Sequence, residues 1–80
     1  MSRYLLHHRH EPRHCGVAFA SFAGHESSLR HGRALGSCDY GGHAIWWTVD
    51  APSATDALAL LPFFVAERTT ATKVCEVDIP

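Results

Sequence analysis

The sequence predicts a small two-layer α+β fold of order β-α-β-β-α-β, and three observations lead to it. Residues 43–49 hold Ile45, Trp46, Trp47 and Val49 directly after the turn signal Gly41-Gly42, as in a strand entered from a hairpin. Cys15, Ala18, Phe19 and Phe22 recur at the i, i+3, i+4, i+7 spacing of an amphipathic helix. Residues 3–10 open the chain with Tyr4, Leu5 and Leu6, and residues 69–79 close it with alternating β-branched residues, which gives both ends strand character.

Along the opening strand side chains alternate, so Tyr4, Leu6, His8 and His10 share one face and Leu5, His7 and Arg9 the other. Glu11-Pro12 starts the first helix, since proline is accepted in a first turn; Gly16 weakens that helix and Gly24 stops it. Residues 25–34 are polar and read as a short helical turn or a loop. Residues 35–40 form a short strand that pairs with 43–49 as a hairpin. In Asp50-Ala51-Pro52-Ser53 the strand ends, and either Asp50 or Ser53 caps the second helix. Ala54, Ala57, Leu58 and Leu61 make its buried stripe, and Pro62 ends or kinks it. Phe63, Phe64 and Val65 continue as a short segment to Arg68.

This order is the ferredoxin-like arrangement, an antiparallel sheet with two helices on one face. Trp46 and Trp47 point to opposite faces, so one of them lies on the side without helices. An apolar sheet face of that kind predicts a partner, and two such sheets packed together give a two-fold homodimer.

Eighty residues, 46% of them hydrophobic, make one domain spanning 1–80 with a single core. A net charge of −1 carries no electrostatic footprint for nucleic acid. The longest apolar run is far too short to span a membrane, and no signal-peptide pattern precedes it. Three cysteines are an odd and sparse set for a secreted disulfide framework, so the expectation is a cytoplasmic protein with free thiols.

The chemistry concentrates in residues 4–15, which contain His7, His8, His10, His14 and Cys15, four of the seven histidines and one of the three cysteines. Neutral imidazoles suit Ni²⁺, Zn²⁺ or copper ions. His8 and His10 share a strand face about 7 Å apart at ~3.4 Å per residue, within reach of one ion. His14 approaches across the Glu11-Pro12 turn and His43 opens the neighbouring strand, so the expected ligands are His8, His10, His14 and His43. The reading is a small dimeric protein that holds a transition metal or a small molecule through this cluster. The alternative is a cofactor-free enzyme with His8, His10 or His43 as general acid or base. The plainest alternative is a polar strand end with solvated histidines.

Other features carry less. His25 and His31 flank Glu26 and Arg30 in the polar loop, as plain surface or as a lid. Asp39, Tyr40 and His43 surround the glycine turn, where Asp and Gly commonly serve the turn itself. Cys15 and Cys75 read as small buried hydrophobes, and Cys38, near the hairpin tip, as the accessible thiol. No catalytic-triad, P-loop or CxxC pattern is present.

The chain resembles the dimeric α/β-barrel superfamily. Gly41-Gly42 through Trp46, the helix at 53–61, Leu61-Pro62-Phe63-Phe64-Val65 and Val74-Cys75-Glu76-Val77 resemble the YciI-like family. That family's pocket carries a His and Asp pair, and Leu61-Pro62 stands here where it has Asp-Pro. The final strand and the imidazoles near the first strand resemble a group of small nickel-binding ferredoxin-like proteins. The resemblance implies a homodimer joined through the sheet face, and either a bound metal or cofactor-free chemistry of the isomerase or monooxygenase kind.

Overall fold

The computed structural model describes residues 1–80. Its elements are β1 (Ser2–Arg9), α1 (Cys15–Ala20), β2 (Leu35–Gly36), β3 (Ala44–Ala51), α2 (Ala54–Leu58), α3 (Phe63–Ala66) and β4 (Thr69–Val74), with 3-10 turns at Pro12–His14 and Cys38–Tyr40. The four strands form one antiparallel sheet of order β2-β3-β1-β4. The expected α+β architecture is therefore present.

β1 is an internal strand, paired along one edge with β3 and along the other with β4. Leu6 lies opposite Trp47 on β3 and opposite Ala71 on β4. Directly opposed residues share a face, so Tyr4, Leu6, His8, Ile45, Trp47 and Val49 all point to one side. That side is the core, where Leu6 and Val65 are 0% exposed and Ala57 and Leu61 from the helical layer pack against the strands. Phe22, just beyond α1, covers Trp47 at a ring distance of 6.2 Å. Of the two tryptophans, Trp47 is thus the core residue. Trp46 lies on the opposite face and stacks on His7 at 5.1 Å.

Ser53 is the acceptor that starts α2, its Oγ taking the Asp56 N–H at 3.1 Å. Pro62, without an N–H, separates α2 from α3 and stands as the N-cap of the latter.

Three expectations are corrected. The last strand ends at Val74 instead of Ile79, since β1 gives it no partner past Arg3, and Cys75 is exposed rather than buried. β2 has only two residues, because Ser37 turns the chain out of the sheet: its carbonyl takes the Gly42 N–H at 2.9 Å and its hydroxyl takes the Ala44 N–H at 3.1 Å. The first helix divides into a 3-10 turn and a short α1 that ends at Ala20, and Gly24 follows in the left-handed region.

Candidate metal centre

β1 carries its histidines toward its own carboxyl end, beside the amino-terminal ends of β3 and β4. There the Arg9 N–H donates to Arg68 O at 3.1 Å and the His10 N–H to His43 O at 3.1 Å, so the strand end is held from both sides. Pro12 fixes the tight turn that follows, and the His14 N–H closes it on Glu11 O at 2.8 Å. This turn returns the chain so that Cys15, the first residue of α1, sits over His10.

The second half of the site comes from the 37–43 connection. Gly41 takes a left-handed φ of 83°, and His43 takes 50°, an unusual backbone state for a side-chain-bearing residue. Gly42 is packed so closely that a Cβ there would lie 2.8 Å from the Ser37 Cβ. Together these features aim Cys38 and His43 back at the end of β1.

One cluster results. His10, Cys15, Cys38 and His43 each offer a donor atom, and all four atoms lie within 4.8 Å of one another. Cys15 Sγ is 3.3 Å from His10 Nε2 and 3.1 Å from His43 Nδ1, and Cys38 Sγ is 3.4 Å from His10 Nε2. In a tetrahedral site with M–S of about 2.3 Å and M–N of about 2.0 Å, the N···S edge is roughly 3.6 Å. The three N···S distances of 3.1–3.4 Å fall only a few tenths of an ångström short of that edge. A His₂Cys₂ two-iron cluster would segregate the imidazoles on one iron and the thiolates on the other. Here thiols and imidazoles interleave, which suits a single ion. A His₂Cys₂ set of this compactness can hold a metal ion.

The second layer fixes which nitrogen faces the cluster. His8 is 0% exposed, and its Nδ1 lies 3.2 Å from Val65 O. A carbonyl only accepts, so His8 Nδ1 carries the hydrogen and Nε2 is left as an acceptor. His8 Nε2 is 2.9 Å from His10 Nδ1, which therefore donates to it. His10 Nε2 is then the lone-pair nitrogen, and it faces both sulfurs. The relay from Val65 through His8 to His10 fixes the orientation and tautomer of the His10 ring, as hydrogen bonds behind metal-ligating imidazoles do. Burial lowers the pKa of both His8 and His10, with His43 and His14 adding to the effect at His10. Both rings are thereby kept neutral, the form that ligates. Burial, with Cys15 and Asp39 close by, pushes the Cys38 thiol up. In the protonated state Cys38 S–H has His10 Nε2 to donate to, and Cys15 S–H has His43 Nδ1. A divalent ion replaces these two protons at no change in net charge.

No family model matches the chain, and no curated protein or solved structure matches it. The site is therefore read from its own geometry.

Of the histidines expected as ligands, His10 and His43 belong to the cluster. His8 stands behind His10 as its hydrogen-bond partner. The fourth, His14, turns its ring edge-on to Phe64 at 5.5 Å and lies outside the donor set. His25 is tied to Leu60 O at 3.3 Å, and Tyr40 is 91% exposed. Cys15 and Cys38 supply the two ligands that a search for histidines passes over. The signal for them is a spacing: His10-x₄-Cys15 and Cys38-x₄-His43 are mirror-image pairs.

Proposed function

We propose that this is a small metal-binding protein that holds one zinc-class ion through His10, Cys15, Cys38 and His43. The observation that carries the reading is the convergence of four donor atoms within 4.8 Å. Two thiolates and two neutral imidazoles in tetrahedral array select Zn²⁺ first, with Cu⁺ and Ni²⁺ as the competitors. Four protein ligands leave no open position for substrate, so the role is structural or metal-carrying rather than catalytic. The acid–base alternative with His8, His10 or His43 is weaker: both nitrogens of His8 are already hydrogen-bonded, and His10 and His43 face the two thiols within the donor set.

The ion joins the end of β1, the start of α1 and the 37–43 connection. For an 80-residue chain such a staple adds stability that a small core supplies poorly. The strand order β4-β1-β3-β2 supports a ferredoxin-like fold for the domain, and the imidazoles favour the nickel-binding group over the YciI-like family among the resemblances. Leu5, Leu35 and Trp46 on the open sheet face support a homodimer, with Leu35 77% exposed. Three free thiols suit the reducing cytoplasm, and no helix is long and apolar enough to cross a membrane.

The test is titration of chelator-stripped protein with Zn²⁺, Cu⁺ and Ni²⁺. One tight equivalent of Zn²⁺ is expected, lost in Cys15→Ser and Cys38→Ser variants. Unchanged binding in both variants would contradict the assignment.

A further inference from the structure

A second site lies on the helix side of the sheet, away from the four metal ligands. A cavity of about 310 Å³ opens there, at the low end of the range that takes small organic ligands. Its floor and walls are aromatic and aliphatic: Phe19, Phe22, Leu29, Ile45 and Trp47. Its mouth is different. Arg30, His31 and Arg33 line it, and no acidic residue does. Neither arginine is ion-paired, for the chain's salt bridges engage only Arg3, Arg13 and Arg68.

The segment bearing these cations is a built structure. Ser27 Oγ donates to Leu60 O at 2.6 Å and accepts from the Leu29 N–H at 3.1 Å, while His25 Nε2 reaches the same Leu60 carbonyl at 3.3 Å. The Arg30 N–H closes on Ser27 O at 3.2 Å and the Gly32 N–H on Leu29 O at 3.3 Å. Two turns anchored to the α2–α3 connection thus fix the backbone that carries Arg30 and Arg33, both of which line the apolar cavity. His31 between them adopts a left-handed φ of 65°, a conformation a free loop has little reason to keep.

We propose that this cavity binds a small amphipathic organic anion, its apolar body against Phe22 and Trp47 and its carboxylate or equivalent acidic group at Arg30 and Arg33. A planar fork of donors suits a carboxylate, and an apolar wall beside it excludes fully hydrated ions. The proposal does not rest on the metal reading.

The experiment uses the full chain, metal-loaded and chelator-stripped, in a Trp46→Phe background that leaves Trp47 as the sole tryptophan. Phenylbutyrate, phenylbutanol and phenylbutylamine are titrated against Trp47 emission, and amide shifts of Gly36 and Ile45 locate the binding. Phenylbutyrate is expected to bind saturably with a Kd on the order of 1 mM or tighter, in both metal states. The amine is expected not to bind. Arg30→Gln with Arg33→Gln should weaken phenylbutyrate about tenfold or more and leave the alcohol unchanged. Equal binding of alcohol and carboxylate, shifts confined to other residues, or no saturable binding by folded protein would each overturn the proposal.

Discussion

The relay behind the metal centre gives a quantitative prediction at His8. His8→Leu replaces a fully buried imidazole by a side chain of compatible size, so the core is not emptied. Three hydrogen-bond contacts go: Nδ1 with Val65 O and with Thr69 Oγ1 at 3.3 Å, and Nε2 with His10 Nδ1. Val65 O keeps the Thr69 hydroxyl at 2.6 Å and is not orphaned. His10 Nδ1–H is orphaned on a residue that is itself only 9% exposed, and such a group costs about 1–3 kcal/mol. The apolar leucine offsets part of this, so the stripped protein should lose about 2 kcal/mol, or roughly 8–16 °C in Tm for a chain of this size. The ligand ring also loses the partner that sets its tautomer, which should weaken Zn²⁺ about 10–100-fold. Competition with a chromophoric chelator measures the affinity and thermal melts measure the stability. Wild-type Zn²⁺ affinity in folded His8→Leu would refute the relay.

Gly42→Ala should loosen the connection that presents Cys38 and His43, because the new Cβ crowds the Ser37 side chain; lower Zn²⁺ affinity with a lower Tm is expected, and an unaltered protein by both measures would count against the close packing. The stripped protein should lose stability as pH falls below about 6.5. The folded state holds His8 and His10 below their unfolded pKa, so the unfolded chain binds more protons in that window; denaturant melts from pH 8 to 5 check the sign. Iodoacetamide footprinting should modify exposed Cys75 with or without metal, and Cys15 and Cys38 only after chelation, because they become metal-bound thiolates. Leu6→Ala should cost about 2–5 kcal/mol at the centre of the sheet, read from urea midpoints.

The grouping of side chains along β1 was legible because side-chain alternation is a local property; which group is buried, and how far β2 and β4 extend, depends on partner strands. Tyr4, Leu6, His8 and His10 on one face follow from period two alone, and the sheet keeps them there. The cap was narrowed to Asp50 or Ser53, of which the structure uses Ser53, and Pro62 was legible as a helix break because proline lacks the N–H a helix needs. The four residues of the donor cluster were half legible. His10 and His43 stood out as imidazoles at adjacent strand ends. Cys15 fell on the i, i+3, i+4, i+7 stripe and read as core, yet the 3-10 turn at Pro12–His14 rotates the helix start so that its sulfur meets His10. Cys38 read as a hairpin tip because residues 35–40 were expected to stay in the sheet. Ser37 and the left-handed Gly41 and His43 instead fold that connection back over the strand end. Both misses are turns, where one backbone angle decides direction and no periodicity reports it.

Elemental analysis of untagged protein, purified without chelator or added metal, tests the central claim most directly. One zinc-class ion per chain, absent from Cys15→Ser and Cys38→Ser proteins that remain folded, is the predicted result. A folded wild-type protein that carries no metal and takes up none on addition of Zn²⁺, Cu⁺ or Ni²⁺ would contradict it.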